Sequence, residues 1–293
     1  MADNIQINSD RLAIEINFPG SVYRYSRFDW TGFIVQVTLD HQHTFCVPES
    51  YQASAGTGGS GLCNEFGIDQ PIGYDEIGPG ELFPKLGIGL LRRIDEKGYE
   101  FWCPYEVAQV FPTRVESSAD RVVITQEPLD CHGYAARLVK TIKVEKNWLE
   151  ISYCLENTGQ KAIQTHEYVH NFVGINRQPL GPAYRLRFPY PVQFDAKTAV
   201  GLDNLDIQGN EIQFAPPEHG LYLRPQGYSL SNQPQWEMLL QDSGLRMQEI
   251  DDFAPLRVAI WGTWHVLSAE IFNPIDLQPG KTQKWARRFE FFD

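Results

Sequence analysis

The stretch Ile163-Gln-Thr-His-Glu-Tyr-Val-His-Asn-Phe-Val173 carries two histidines, His166 and His170, with Tyr168 midway between them. Successive side chains of a β-strand point to opposite faces, so these three side chains would share one face of a strand. A strand in a protein core normally places apolar residues on one side, whereas one face of this stretch is titratable. The pattern therefore indicates either a chemical site or two histidines on an exposed sheet face.

Short strand patterns recur on both sides of this stretch, for example over residues 33–39, 136–144, 148–156 and 256–261. No long stretch has the 3.6-residue periodicity of an amphipathic helix. Many short strands separated by turn signals predict an all-β fold, a large antiparallel β-sandwich. Because the chain has no repeat period, low-complexity tail or linker, we predict a single domain over residues 1–293.

The composition excludes several classes of partner. The 293 residues carry a formal net charge of -12 with no basic stripe, which argues against binding to nucleic acid. No apolar run approaches the ~18–20 residues needed to span a bilayer, and the first residues lack the features of a signal peptide. The five scattered cysteines have no C-x-x-C spacing, which indicates reduced thiols in a cytoplasmic protein.

Two other motifs superficially resemble a metal site and a phosphate site. His41 and His43 form an i, i+2 pair in a turn-like segment, but no third ligand is evident, so surface histidines are favoured and no metal is predicted. The glycine-rich loop at residues 55–61 is not followed by Gly-Lys-Ser/Thr, so it does not predict a phosphate-binding loop. Long polar loops on a β scaffold are nevertheless common places for functional sites. Nothing in the sequence requires a cofactor.

Two segments of the second half resemble a known family. Residues 149–159, Leu-Glu-Ile-Ser-Tyr-Cys-Leu-Glu-Asn-Thr-Gly, and the histidine strand after them resemble the middle of aldose 1-epimerases (galactose mutarotases) and glucose-6-phosphate 1-epimerases. In that family a catalytic His follows such a turn and precedes an aromatic, as His170 precedes Phe172 here. The segment from Ala269-Glu-Ile-Phe to Leu277-Gln-Pro-Gly-Lys is similar to the closing pattern of the family, in which Glu270 takes the position of a catalytic Glu.

The resemblance covers roughly residues 130–293, and residues 1–50 only loosely. It implies the galactose-mutarotase-like supersandwich, with a sugar cleft on one sheet. The chain departs from the family pattern upstream, because residues 85–110 contain no counterpart of the additional active-site histidine in a His-Gly-Gly-like loop. His166 is a candidate substitute for that group.

The resemblance implies Glu270 as catalytic base, His170 as acid and His166 as partner or substrate ligand. Burial would have to raise the pKa of Glu270 for it to act near neutral pH, and the alternative is a solvated carboxylate at a strand end. Tyr168 shares the face of the two histidines and is a candidate substrate ligand. Trp264, six residues before Glu270, would share its strand face and either stack on a sugar or belong to the core.

Three further polar residues are candidate substrate ligands. Arg27 and Asp29 lie in a cluster of Tyr, Phe and Trp and either bind sugar hydroxyls or form a buried pair that braces the first strands. Lys85 either meets a substrate oxygen or is an ordinary solvated lysine. The aromatic content of 13% suits both a β core and a sugar-stacking cleft.

The function predicted from the sequence is an isomerase, an aldose 1-epimerase-like enzyme acting on a free or phosphorylated sugar. The alternatives are a carbohydrate-binding protein with a degenerate site, or a carbohydrate lyase or hydrolase on the same scaffold, because a fold does not fix a function. No feature specifies the sugar or the oligomeric state.

Overall fold

A computed structural model describes residues 4–52, 55–217, 219–229 and 233–293. Over these ranges the chain is almost entirely strand and loop, which confirms the all-β prediction. The only helical elements in the described ranges are 3-10 turns at Tyr74–Glu76, Ile175–Arg177 and Leu202–Asn204. The strands, numbered in chain order, are β1 Asn4–Asn8, β2 Leu12–Asn17, β3 Phe33–Leu39, β4 His43–Thr44, β5 Leu62–Phe66, β6 Leu82–Lys85, β7 Gly89–Arg92, β8 Val107–Val110, β9 Thr113–Ser117, β10 Arg121–Gln126, β11 Ala136–Glu145, β12 Trp148–Asn157, β13 Ile163–Asn171, β14 Tyr184–Arg187, β15 Leu205–Gln208, β16 Glu211–Phe214, β17 Leu221–Leu223, β18 Trp236–Leu240, β19 Leu245–Asp251, β20 Arg257–Thr263, β21 Val266–Leu277 and β22 Thr282–Phe292.

The strands form two large antiparallel sheets and one small sheet. The first large sheet has the order β1-β2-β3-β5-β13-β21-β20-β17, with β4 added beside β3. The second has the order β15-β16-β14-β18-β19-β22-β12-β11-β10-β9, and β6, β7 and β8 form a separate three-stranded sheet. The histidine strand β13 therefore lies near the middle of the first sheet, between β5 and β21.

One hydrophobic core lies between the two large sheets. Val169 and Ile271 contribute from the first sheet, and Ile151, Leu155 and Trp285 contribute from the second. Along β11, β12 and β22 buried residues alternate with less buried ones, as the alternating sequences of these strands predict. Each large apolar side chain buried in this way contributes about 1.5–3 kcal/mol.

Strand β13 departs from this alternation because both of its faces are covered. Every residue of β13 except Gln164 is buried. One face points into the core, and on the other face Phe172, just beyond the strand, packs in a second apolar cluster with Phe28 and Phe83. His166 and His170 are only 2% and 4% exposed, so the interpretation of two histidines on an exposed sheet face is wrong.

The core face of β13 is held by a buried ionic network. Arg287 of β22, fully buried, donates to Glu167 Oε2 at 2.7 Å and to Glu249 Oε1 at 2.9 Å. Trp285 Nε1 also donates to Glu167 Oε2, at 3.1 Å. Buried charges are tolerated when their partners satisfy them, and this network joins β13 to β19 and β22 of the opposite sheet.

Three further observations concern the described part of the chain. No helix there is long and apolar enough to cross a membrane. The five cysteines carry free thiols. No group of three or more His, Cys, Asp or Glu side chains is arranged there to hold a metal ion. His41 lies in the turn after β3, and His43 begins β4.

Candidate active site

A cleft of about 400 Å³ opens on the first sheet over β13, β17, β20 and β21. Strands of the sheet supply half of its lining, and the loops around them supply the rest. The cleft is lined by Arg27, Glu49, Thr57, Ile68, Asp69, Phe101, Tyr168, His170, Tyr222, Arg224, Arg257, Trp261, Glu270 and Phe272.

Strand register brings His170 and Glu270 together. Strand β13 pairs with β21 such that Glu167 faces Asn273. The same register continued three residues further places His170 opposite Glu270. The imidazole Nε2 lies 3.3 Å from Glu270 Oε1, so a nitrogen base and a carboxyl group are in direct contact in the cleft.

The Glu270 carboxyl group is removed from water. It is 5% exposed, and Ser268 Oγ donates a hydrogen bond to its Oε1 at 3.1 Å. Burial raises the pKa of Glu270 to about 8, although the positive charge of Arg27 acts in the opposite direction. Glu270 is therefore predominantly a protonated carboxylic acid at neutral pH.

The His170 ring lies among aromatic side chains. It stacks on Phe172 with ring centres 3.9 Å apart and meets the ring of Trp261 edge to face at 5.1 Å. Burial, and then the charge of Arg27, lower the pKa of His170 well below 6.5. At neutral pH the pair thus consists of a neutral imidazole and a protonated carboxyl group, which are a proton acceptor and a proton donor.

Arg27 is fixed beside this pair by a buried cluster. Its Nε donates to Glu65 Oε2 at 2.9 Å, and its other nitrogens donate to Thr57 Oγ1 at 2.7 Å and to the Tyr168 hydroxyl at 3.2 Å. The Tyr168 hydroxyl in turn donates to Glu65 Oε2 at 2.7 Å. The guanidinium also lies over the ring of Phe101, 4.3 Å from its centre, so Arg27 has little freedom to move.

The opposite wall of the cleft carries a second polar group. Arg257 donates to Asp69 Oδ2 at 2.7 Å and lies over the ring of Phe272 at 3.9 Å. His166 Nε2 lies 3.0 Å from the other oxygen of Asp69. His166 and then Arg257 lower the pKa of Asp69, so this carboxylate stays ionised. Arg224 approaches the same wall and donates to the Tyr222 hydroxyl at 2.7 Å.

Two of the predicted site residues lie behind the cleft lining. His166 sits behind Asp69, which covers its Nε2. Lys85 is 2% exposed, and its Nζ lies 3.4 Å from Glu65 Oε1 and 3.0 Å from the Tyr99 hydroxyl. Lys85 is therefore neither the solvated lysine that the sequence allowed nor a lining residue. It shares the Glu65 carboxylate with Arg27 and supports the cleft from beneath.

The structure corrects the prediction for two further candidate substrate ligands, Asp29 and Trp264. Asp29 is 1% exposed and pairs with Lys140 of the opposite sheet at 3.3 Å, so it braces the fold and does not face the cleft. Trp264 is 55% exposed in the two-residue turn between β20 and β21. It cannot share the strand face of Glu270, because the strand begins only at Val266.

The sequence interpretation missed several residues of the cleft, and pairing in the β20–β21 hairpin could have found some of them. Thr263 pairs with Val266, which places Ala259 opposite Glu270. Because side chains alternate along a strand, Arg257 and Trp261 then share the cleft face. No comparable signal pointed to Asp69 and Glu49 in the lining, or to the buried Glu65 that holds Arg27.

The glycine-rich loop at residues 55–61 contributes Thr57 to the lining of the cleft. Gly61 adopts a positive φ of 61°, and a Cβ there would lie 2.1 Å from the carbonyl oxygen of Ile34, so only glycine allows this close approach. Glu49 accepts hydrogen bonds from the backbone of Thr57 at 2.7 Å and Gly59 at 3.1 Å. The loop is thereby folded so that Thr57 meets Arg27.

Comparisons with known proteins identify the fold. No family model matches the sequence, and a search of curated proteins finds no match. Solved structures do match along nearly their whole length. The Slr1438 protein from Synechocystis sp. PCC 6803 has a TM-score of 0.60 and 14% identity, covering 98% of this chain and 95% of that chain. A putative aldose 1-epimerase from Escherichia coli K12 has a TM-score of 0.58 and 11% identity, covering 99% and 98%.

A galactose mutarotase related enzyme from Lactobacillus acidophilus has a TM-score of 0.62 and 10% identity, covering 99% of this chain and 97% of that chain. The chain therefore has the galactose mutarotase-like sandwich fold, which confirms the expectation drawn from the sequence resemblance.

Proposed function

We propose that this protein is an aldose 1-epimerase-like enzyme, which interconverts the anomers of a sugar with Glu270 and His170 as its acid–base pair. The observation that carries the proposal is the buried contact of 3.3 Å between the Glu270 carboxyl group and the His170 imidazole. Perturbed titratable groups that face each other in a cleft are typical of catalytic sites. The fold shared with aldose 1-epimerase-like structures supports the same class of substrate.

Anomer exchange needs one proton donor and one proton acceptor. His170 takes the proton of the anomeric hydroxyl while Glu270 gives its proton to the ring oxygen, and the C1–O5 bond breaks to leave the open-chain aldehyde. After rotation about C1–C2, Glu270 takes the proton back from the O5 hydroxyl as the ring closes on the other face. His170 returns its proton to the carbonyl oxygen, so both groups end as they began.

These roles reverse the sequence-based assignment of Glu270 as base and His170 as acid. The reason is the direction of the two pKa shifts, because burial favours the neutral form of both groups. The C1–O5 bond breaks and re-forms with its electrons kept within the sugar, and Glu270 and His170 each give or take one proton in each direction. Trp261 lines the cleft and offers an aromatic surface for a pyranose ring, and Asp69 offers a carboxylate that can accept hydrogen bonds from hydroxyl groups.

The test is saturation-transfer NMR on equilibrium anomer mixtures of glucose, galactose and their 6-phosphates. We expect faster α/β exchange for at least one sugar. Glu270→Gln and His170→Gln should each lower the rate by about 10²–10⁴-fold, the usual range for a lost acid or base. Asp276→Asn is the matched control, because Asp276 lies exposed on the same strand as Glu270. Wild-type turnover in Glu270→Gln would refute the assignment.

A second candidate is a sugar-binding protein without turnover. His170 is the only histidine that lines the cleft in the described part of the chain. Residues 85–110, which contain no histidine, contribute Phe101 to the lining. A binding protein would broaden the sugar resonances without exchange between anomers, and Glu270→Gln would retain its affinity.

A further inference from the structure

Backbone pairing between the neighbouring strands β13 and β21 is interrupted at the acid–base pair. The ladder runs up to Glu167, which pairs with Asn273, and beyond the interruption an isolated bridge joins Val173 to Leu267. Both pairings have the same register, because six residues separate them on each strand. Buried backbone N–H groups need a hydrogen-bond partner, so an N–H group that faces this interval needs a side chain as its acceptor.

Ser268 of β21 supplies that acceptor and has one hydrogen bond left to donate. Its side chain is fully buried, and its Oγ accepts a hydrogen bond from the backbone N–H of Asn171 at 2.9 Å. Ser268 and Glu270 are two residues apart on the same strand, so their side chains share a face. The Ser268 hydroxyl donates to Glu270 Oε1 at 3.1 Å. A serine hydroxyl has a single proton, and here that proton is committed to Glu270.

The proposed reaction requires Glu270 to become a carboxylate in a buried place. Negative charge develops on Glu270 when it gives its proton to the ring oxygen, and no Arg or Lys among the described residues forms an ion pair with it. Hydrogen bonds to ionised acceptors are roughly twice as strong as those to neutral ones, so the bond from Ser268 strengthens as the proton leaves. His170, protonated in the same step, lies 3.3 Å from the same oxygen. An interaction that strengthens during the reaction raises the rate of the chemical step.

We propose that Ser268 is a positioning residue for Glu270, which holds the carboxyl group in place and stabilises the carboxylate that forms during ring opening. This inference rests on the proposed function. Ser268 does not line the cleft, so it acts through Glu270 and does not contact the substrate. Its hydrogen bond holds Oε1 beside His170, and Oε2 is left for the substrate.

The test measures anomer exchange against pH in the wild type, Ser268→Ala and Ser268→Thr. We expect Ser268→Ala to lower kcat by roughly tenfold, the usual difference between hydrogen bonds to charged and to neutral groups, and to change KM by less than about twofold. The fall of kcat/KM above about pH 8 should move roughly one pH unit higher, because the lost hydrogen bond favours the ionised form of Glu270. Ser268→Thr keeps the hydroxyl and should restore both properties. Ser268→Cys, whose thiol is a weak donor, gives the same comparison if the alanine variant is unstable.

Thr165→Ala is the matched control. Thr165 is a buried residue of β13, and its hydroxyl donates to the carbonyl oxygen of Gln70 at 2.8 Å. Its loss should leave kcat and the pH profile of the folded protein unchanged, with folding checked by tryptophan fluorescence. An unchanged kcat in Ser268→Ala, or a lower kcat without movement of the basic side of the profile, overturns the inference and leaves Ser268 a role in strand pairing alone. The other charged and titratable groups that act on Glu270 are the same in all of these variants: Arg27, Glu65, Tyr168, His170 and Arg257.

Failure of the proposed function is distinguishable from failure of this inference. If no sugar shows anomer exchange, the epimerase proposal fails, and urea unfolding then tests the hydrogen bond from Ser268. Stability falls with pH as long as the folded chain keeps a proton that the unfolded chain has lost. The stability lost in Ser268→Ala should therefore grow between about pH 8 and pH 9, where the variant keeps the Glu270 proton and the wild type releases it. In a Glu270→Gln background the same substitution should have the same cost at every pH. A cost in the wild-type background that does not change with pH overturns the inference.

Discussion

Replacing Glu270 with glutamine should stabilise the folded protein, and by an amount that depends on pH. The folded carboxyl group has a pKa of about 8, against 4.5 for the same group in water. Between these values the unfolded chain loses a proton that the folded chain keeps. Stability from this group is therefore fully present below pH 4.5 and is lost as pH rises toward 8.

The magnitude follows from the linkage relation. Between pH 4.5 and 8, each pH unit lowers the free energy of unfolding by about 1.4 kcal/mol, because the folded chain keeps the Glu270 proton. At pH 7 the loss amounts to about 3 kcal/mol. A glutamine has nearly the same shape, can still accept the hydrogen bond from Ser268 and does not ionise. Glu270→Gln should therefore match the wild type at pH 4.5 and exceed its free energy of unfolding by about 3 kcal/mol at pH 7.

The assay is urea unfolding of both proteins at several pH values from 4.5 to 8, monitored by tryptophan fluorescence. Taking the difference between the two proteins cancels the titration of other groups. Asp276→Asn should show no comparable change with pH, because Asp276 is exposed. A difference between Glu270→Gln and the wild type that stays constant over this range would refute the argument that burial raises the pKa of Glu270.

The remaining predictions concern activity and the buried cluster. The value of kcat/KM, measured by anomer exchange, should fall above about pH 8 because Glu270 ionises there. It should also fall on the acid side, well below pH 6.5, because His170 becomes protonated. A flat profile would contradict both assignments. Glu65→Gln should lower the free energy of unfolding by about 3–5 kcal/mol, because it leaves Arg27 buried without its carboxylate; a loss under 1 kcal/mol in urea unfolding would contradict this. If the substrate carries a phosphate, inorganic phosphate should inhibit exchange, and Arg224→Ala should weaken that inhibition several-fold, since Arg224 lines the cleft; unchanged inhibition in the variant would assign the anion to another group.

Local sequence patterns were sufficient for the architecture. Alternation in residues 136–144 and 148–156 is the direct consequence of one face packing on the core, so the strands β11 and β12 could be recognised from residue type alone. The two-face burial of β13 could not, because it depends on loops and on the aromatic cluster around Phe28, which come from distant parts of the chain.

The cleft could be predicted only where strand alternation applies. Tyr168 and His170 are two residues apart on β13 and both line the cleft. Asp29 also lies two residues from a lining residue, Arg27, but outside any strand, where alternation gives no guide to direction. Trp264 was misplaced for a related reason: the count of six residues back from Glu270 crosses a turn, and a turn reverses the chain.

The buried glutamates of this region differ in their hydrogen-bond partners. Glu65 accepts from Arg27 and Tyr168 and lies beside Lys85, and Glu167 is held by Arg287. The paired cations offset the cost of burying the negative charge of these two carboxylates. Among the residues that the structure describes, no Arg or Lys forms an ion pair with Glu270.

Within the described residues Glu270 accepts one hydrogen bond, from the neutral Ser268, and otherwise meets the His170 ring. Burial without a paired cation is a cost to the fold, and it is also what moves the pKa of a carboxyl group into the neutral range. Among these buried glutamates, the one with the poorest compensation is the one that lines the cleft. A fold selected only for stability would have paired this carboxyl group as it paired Glu65 and Glu167, and that contrast favours chemistry at Glu270 over simple sugar binding.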